Sequence, residues 1–129
     1  MDRFFLEEYI NETYNAVSDH PWERYPDYTV FRHSNNKKWF AVIMRVSKNK
    51  LGLSGDGEMD IVNLKCDPIM IGSFRSEPGI FPAYHMSKAN WISVALDECV
   101  SEEKLKMLLD ISYDLTAPKR NRRSTPADN

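Results

Sequence analysis

The chain has 129 residues and a mass of 15.0 kDa, with 42% hydrophobic and 28% charged side chains, which fits one globular domain with a packed core. Its formal net charge of −2 argues against a protein that coats nucleic acid through charge alone. Acidic residues near the start disfavour a secretion signal, and no apolar run approaches the ~18 residues of a membrane span. The two cysteines, Cys66 and Cys99, exclude a disulfide framework but leave a single bridge open, and we expect free thiols and a cytoplasmic location.

Charge is sorted by segment along the chain. Residues 1–30 carry two basic and seven acidic side chains, whereas residues 31–50 carry six basic side chains and no acidic one. Residues 96–116 carry six acidic against two basic side chains, and residues 117–129 have a net charge of +3. Two interpretations stay open: lysines that protect exposed sheet edges, or a basic surface that contacts nucleic acid.

The first half of the chain is predicted to form one helix and one hairpin. Apolar spacings of three and four predict an amphipathic helix from Asp2, as N-cap, to about Val17. After an aromatic loop that is predicted to fold back over the core come strands at 28–33 and 38–46. The turn between them is predicted because asparagines tolerate left-handed backbone and bond their own main chain. Residues 47–57 hold three glycines but no phosphate-binding pattern, and they are predicted to be a mobile hairpin tip.

The second half adds strands and two helices. Asp67 followed by Pro68 is a strong helix start, and Ser101 is the predicted cap of the last helix. Residues 117–129 are polar and basic, so a disordered basic tail is predicted after a single domain at 1–116. The predicted elements of this half are a strand at 58–66, a helix at 68–76, an extended segment at 80–86, a strand at 90–96 and a helix ending near 115.

Strand residues alternate between the two faces of a sheet, and the apolar sets must meet the helices. This predicts an α+β two-layer sandwich, with one antiparallel sheet and helices packed on one face, in the order α-β-β-β-α-β-β-α. The residues predicted to face the helices are Phe40, Val42, Met44, Val46, Val62, Leu64, Cys66, Ile92, Val94 and Leu96. The residues predicted for the open face are Trp39, Ile43, Arg45, Ile61, Asn63, Lys65, Trp91 and Ser93.

The basic hairpin and the open face together predict a surface for nucleic acid. Indole rings stack on bases, while lysines and arginines neutralise phosphates. The residues of this predicted interface are Arg32, Lys37, Lys38, Trp39, Arg45, Lys65, Lys88 and Trp91. Alternatives stay open: loops or the tail cover the face, or the face is a homodimer seam or a chaperone-like protein-interaction site.

Metal and catalytic chemistry have little support in the residue pattern. The three histidines are far apart, without the spacing of a metal site. Cys66 with His85 is the only nucleophilic pair to consider, and Cys66 falls on an apolar strand face where an inert thiol is expected. Tyr84 and His85 beside Lys88 either form a small anion pocket or lock a loop. We expect no metal, no cofactor, no catalytic residue and no enzymatic activity.

Several motifs together resemble the MmcQ/YjbR family of small bacterial proteins, over nearly the whole chain up to the tail. They are NLKCDP (63–68), PGIFPAYHMSKANW (78–91), VALD (94–97) and LLDISYDL (108–115), with HPWERYPD (20–27) and KKWFAVI (37–43) similar to its earlier blocks. The sequence departs from the family pattern at Ala83, where glycine is usual, and at Ala89-Asn90, where a more basic pair is usual.

The resemblance implies a fold similar to frataxin-like (CyaY-like) and type III secretion chaperone-like domains. Members of the family are commonly labelled DNA-binding on account of a double-wing arrangement of hairpins, a label that itself rests on fold. No catalytic residue comes with it. We therefore predict a small, non-enzymatic protein that binds DNA and no membrane, with the protein-interaction module as the alternative.

Overall fold

The computed structural model describes residues 1–118, so the predicted tail lies outside the described residues from position 119 onward. The helices are α1 (Arg3–Thr13), α2 (Pro68–Arg75) and α3 (Glu102–Thr116), and a short 3-10 helix spans Lys48–Leu51. The strands are β1 (Ala16–Asp19), β2 (Thr29–His33), β3 (Trp39–Ser47), β4 (Glu58–Lys65), β5 (Ile80–Pro82) and β6 (Trp91–Ala95).

The strands form one antiparallel sheet in the order β1-β2-β3-β4-β6-β5, and the helices share one of its faces. Leu6 of α1, Ile71 of α2 and Leu108 of α3 belong to one buried cluster with Val62 and Val94 of the sheet. Burial of this interface is the main stabilising term of such a two-layer domain. The predicted α+β fold class is confirmed.

Each α-helix begins directly after the residue that the sequence predicted as its cap. The side chain of Asp2 accepts a hydrogen bond from the amide of Phe5 at 3.0 Å. Asp67 accepts from the amide of Ile69 at 2.9 Å, with Pro68 at the first helical position. Ser101 accepts from the amide of Lys104 at 3.1 Å. These bonds satisfy amide donors that have no partner inside a helix, so the three helix starts are fixed locally.

The first helix is shorter than predicted, because residues 16–19 form strand β1. Helix α1 ends at Thr13, and Ala16 then pairs with His33 in an antiparallel ladder along β2. The predicted end near Val17 was therefore wrong. The free edge of β2 offers these residues a ladder of backbone hydrogen bonds, and that partner lies outside the local periodicity of the sequence.

A bulge in β3 sets which side chains face the helices. Phe31 pairs with Ala41 but Arg32 pairs with Trp39, so Phe40 is an extra residue in β3. Phe40 and Ala41 both pack in the helix-facing cluster, while Trp39 packs on the opposite face. The bulge therefore places Trp39 on the face away from the helices.

The predicted faces were wrong for β3 beyond the bulge and confirmed for β4 and β6. Val42, Met44 and Val46 lie on the face away from the helices, whereas Ile43 faces them. Strand β3 lies at the centre of the sheet and is buried on both faces, so both of its alternating sets are apolar and the pattern does not orient it. The helix-facing residues of β4 and β6, together with the residue that follows each strand, are Val62, Leu64, Cys66, Ile92, Val94 and Leu96, as predicted.

Much of the face away from the helices is covered by the chain itself. Met44 is 2% exposed and Ile61 is 0% exposed on this face. The side chains that pack over the cluster are Trp22, Leu51, Leu53, Phe81 and Tyr84. The face is thus a second, smaller core rather than a bare apolar surface.

Candidate functional site

Four of the predicted interface residues form one row across one end of the sheet. Arg32 pairs with Trp39 between β2 and β3, and Lys65 pairs with Trp91 between β4 and β6. All four lie on the face away from the helices, and each keeps part of its surface exposed. We call Arg32, Trp39, Lys65 and Trp91 the sheet-end row. It alternates cation and indole across neighbouring strands.

Ser112 of α3 joins the two halves of the sheet-end row. Its hydroxyl donates to the carbonyl of Phe40 at 2.6 Å and accepts from the amide of Lys65 at 2.9 Å. Phe40 is the bulged residue, so the bulge leaves room at this point for a hydroxyl between β3 and β4. Ser112 is fully buried, and its two bonds fix the backbone on which Trp39 and Lys65 stand.

Trp39 is held by its neighbours. The guanidinium of Arg32 lies 5.5 Å from the centre of the Trp39 ring and makes an ion pair with Asp19 of β1 at 3.1 Å. Trp22 meets Trp39 edge to face, with ring centres 5.6 Å apart. Cation–π and edge-to-face contacts of this kind restrict the rotamer of an indole. Trp39 is therefore a preoriented ring.

The hairpin turn next to the row carries two exposed lysines, Lys37 and Lys38. As predicted, an asparagine bonds the turn's own main chain, because Asn36 accepts from the amide of Lys38 at 3.0 Å. The residue with left-handed backbone in this turn is Lys37, with φ 62°. Asn36 also donates to the carbonyl of Thr116 at 3.0 Å, which ties the turn to α3.

Two predicted interface residues lie apart from the row. Arg45 stands near the opposite end of β3, on the helix-facing side, and contacts Glu58 and Asp60 at 3.4 Å each. Lys88 donates to the carbonyl of Ala83 at 3.1 Å and so fastens the loop before β6. The charge of Arg45 is compensated by the carboxylates beside it.

The predicted pocket residues Tyr84 and His85 form a turn that is held by buried side chains of the sheet. Asn63 donates to the carbonyl of Tyr84 at 3.0 Å, and the hydroxyl of Ser93 accepts from the Tyr84 amide at 2.9 Å. Ser93 also donates to the side-chain oxygen of Asn63, and both residues are 0% exposed. His85 follows with φ 60°, a left-handed conformation that costs a non-glycine residue free energy.

The turn borders a cavity of about 270 Å³, which we call the tyrosine cavity. Its walls come from three parts of the chain that sequence reasoning did not join. They are Arg24, Tyr25, Pro26, Asp27 and Tyr28, then Arg45, Val46, Ser47, Lys50 and Glu58, then Tyr84 and His85. The cluster of aromatic and charged residues before β2 was the one signal in the sequence, and it was interpreted only as a loop folded over the core.

Cysteine and metal chemistry find no site among residues 1–118. Cys66 is buried on the helix side of the sheet, whereas His85 lies beyond the other face, so the two do not pair. Burial, and secondarily Asp67, raises the pKa of the Cys66 thiol, which keeps it protonated. Cys66 and Cys99 are both free, as expected. Within this part of the chain, no group of three or more metal-binding side chains is assembled.

The fold and the sheet-end row define a small α+β domain, and comparison with known proteins gives its family. A family model described as YjbR matches residues 11–115. The uncharacterized protein YyaQ of Bacillus subtilis (strain 168) is 44% identical over 109 residues, which cover 84% of this chain and 92% of YyaQ. The uncharacterized protein YbdF of Escherichia coli O157:H7 is 42% identical over 55 residues, covering 42% of this chain and 45% of YbdF.

Solved structures agree with this assignment. A Pseudomonas syringae protein matches with a TM-score of 0.89 and 43% identity, over 91% of this chain and 100% of that one. The Deinococcus radiodurans protein DR2400 matches with a TM-score of 0.70 and 25% identity, over 98% of this chain and 83% of that one. The chain belongs to the YjbR family. In residues 1–118, no helix combines the length and apolar character needed to cross a membrane.

Proposed function

We propose that this protein is a non-catalytic binding protein that takes a single strand of DNA along the sheet-end row. The observation that carries the proposal is a set of two cross-strand pairs, each of one cation and one indole, on the same face and at the same end of the sheet. Indoles offer sequence-tolerant stacking to unpaired bases, and cations between them neutralise the phosphates that link those bases.

The spacing of the row suits a strand that crosses the sheet. Neighbouring strands lie ~4.8 Å apart, so Trp39 and Trp91, which are two strands apart, are separated by ~10 Å. This is about three times the ~3.4 Å rise per nucleotide of a stacked strand. The two indoles would therefore take bases about three nucleotides apart, with Lys65 between them.

The charges near the sheet-end row also support binding of a DNA strand there. Within residues 1–118, Lys38 and Lys65 make no ion pair, so their charges are available to phosphates. Arg32 is partly neutralised by Asp19 and serves mainly to hold Trp39. With Lys37, three lysines would contact phosphate, and a slope of log K against log salt of about −2 is expected for a single strand.

Fluorescence anisotropy with labelled single strands of about 12 nucleotides and the matching duplex tests the proposal at ~50 and ~200 mM salt. We expect the single strand to bind more tightly than the duplex. Trp91→Ala should lose ~1–3 kcal/mol of binding free energy. Lys65→Ala removes a cation of the row and should weaken binding. Arg75→Ala, which removes a cation on α2, is its control and should not. Absence of single-strand binding at the lower salt would remove the proposal.

The same face as a protein-interaction seam is the second candidate, and the structure gives it less support. Its most apolar residues, such as Val42 and Ile61, are already buried within the chain. The part of this face that stays exposed consists of both indole and lysine side chains. A dimer in light scattering that dissociates in Trp91→Ala would favour this second candidate over strand binding.

A further inference from the structure

The tyrosine cavity lies at the other end of β3 from the sheet-end row, and part of its wall is aromatic. Tyr25 and Tyr28 stack nearly parallel, with ring centres 4.7 Å apart and an angle of 10°. The rings of Tyr84 and His85 are 4.1 Å apart on the facing turn. Burial raises the pKa of Tyr28, and Tyr84 raises it further, so the Tyr28 hydroxyl keeps its proton. Aromatic rings and a neutral hydroxyl therefore form part of the wall.

The charges that line the cavity leave a positive excess. Arg45 is engaged by Glu58 and Asp60, at 3.4 Å from each. Within residues 1–118, Arg24 and Lys50 have no ion pair and are exposed at the rim. Asp27 is the remaining acid of the lining. Counted over the whole lining, the three cations Arg24, Arg45 and Lys50 face the two carboxylates Asp27 and Glu58, and this net positive charge favours an anionic ligand.

The Tyr84–His85 turn, which forms one wall of the cavity, is rigid and contains a strained backbone. His85 adopts a left-handed backbone, while Asn63 and Ser93 fix both backbone groups of Tyr84 before it. Buried amide and hydroxyl groups satisfy each other here and leave the turn little freedom. Strained backbone over-determined by its surroundings recurs where side chains are presented to ligands. The Tyr84–His85 turn is therefore preorganised.

We propose that the tyrosine cavity binds a small aromatic anion. Its ring would lie against the tyrosines, and its phosphate or carboxylate would be held by Arg24 and Lys50 at the rim. The volume of about 270 Å³ lies just below the ~300–1,000 Å³ of typical ligand pockets, which limits the ligand to one or two rings. This site is separate from the sheet-end row and does not depend on strand binding.

Titrations followed by amide NMR test the proposal with four probes: phenyl phosphate, benzoate, inorganic phosphate and phenol. We expect phenyl phosphate or benzoate to bind with Kd near or below about 1 mM and to shift the amides of residues 24–28 and 84–85. The comparison of these two probes decides between a phosphate and a carboxylate ligand. Inorganic phosphate and phenol should each bind at least about fivefold more weakly, because each lacks one half of the ligand.

Matched variants distinguish binding in the tyrosine cavity from nonspecific attraction by surface cations. Arg24→Ala and Lys50→Ala should each weaken the better anion at least about fivefold, while Arg75→Ala and Lys48→Ala, outside the lining, should leave it unchanged. Arg24 and Lys50 are exposed, so their variants keep the fold. No saturable binding of either aromatic anion, equal binding of phenol, equal binding of inorganic phosphate, or indifference to both variants would each overturn the proposal.

Discussion

Ser112 donates its hydroxyl to the carbonyl of Phe40 at 2.6 Å, across the boundary between the helical layer and the sheet. Phe40 is the extra residue of the β3 bulge, so its backbone is out of register with β2. This hydrogen bond gives the buried carbonyl of the bulged residue a partner from outside the sheet. The helix therefore stabilises the irregularity that turns Trp39 to the face away from the helices.

Replacement of Ser112 by alanine should destabilise the protein by about 1–3 kcal/mol, because the Phe40 carbonyl and the Lys65 amide each lose a buried partner. Urea unfolding measures the loss. Ser73→Ala on the exposed side of α2 is the control and should change stability by less than ~0.5 kcal/mol. Equal stability of Ser112→Ala and the control would contradict the role given to this hydroxyl.

Asn63 and Ser93 should act as a coupled pair. Each bonds the other and each bonds the backbone of Tyr84. Asn63→Ala and Ser93→Ala should each cost ~1–3 kcal/mol, and the double variant should cost less than their sum by ~0.5–3 kcal/mol. A double-mutant cycle in urea gives the coupling. Additive losses would show that the two side chains act independently.

The stability of the protein should fall as pH drops below about 7, through His33. Burial lowers the pKa of this imidazole from its ordinary 6.5, and the Tyr113 backbone offsets the effect only in part. Below pH 6.5 the unfolded chain binds a proton that the folded chain resists, so unfolding is favoured as pH falls toward the folded pKa. The slope is at most ~1.4 kcal/mol per pH unit for one such proton.

Urea unfolding between pH 7.5 and 5.5, in steps of about half a unit, checks this dependence. His33→Gln should flatten the slope, because the buried titrating group is gone. His20→Gln replaces an exposed histidine and should keep it. A slope that survives in His33→Gln would assign the effect to other groups.

The two thiols should react differently in the folded protein. Cys99 is exposed and Cys66 is 1% exposed, with a raised pKa. The thiolate is the reactive form, so a thiol reagent should modify Cys99 quickly and Cys66 only after unfolding. Titration with a chromogenic disulfide should count about one thiol in buffer and about two in denaturant. The variant Cys99→Ser should leave no fast-reacting thiol.

The features that could be predicted from the sequence alone are those that depend on local interactions. Caps at Asp2, Asp67 and Ser101, the hairpin around residue 36 and the apolar faces of β4 and β6 follow from neighbours within a few residues. These features depend on hydrogen bonds and periodicities that close inside a short segment. The α+β class follows from their order along the chain.

The tertiary structure decided what depends on distant partners. Strand β1 exists because β2 offers an edge, and β3 is oriented by a bulge that Ser112, 72 residues from Phe40, satisfies. The tyrosine cavity likewise joins residues near 25, 50 and 85 that no local pattern connects. A strand buried on both faces has no polar side to fix its orientation, so only packing against the rest of the chain selects which residues meet solvent.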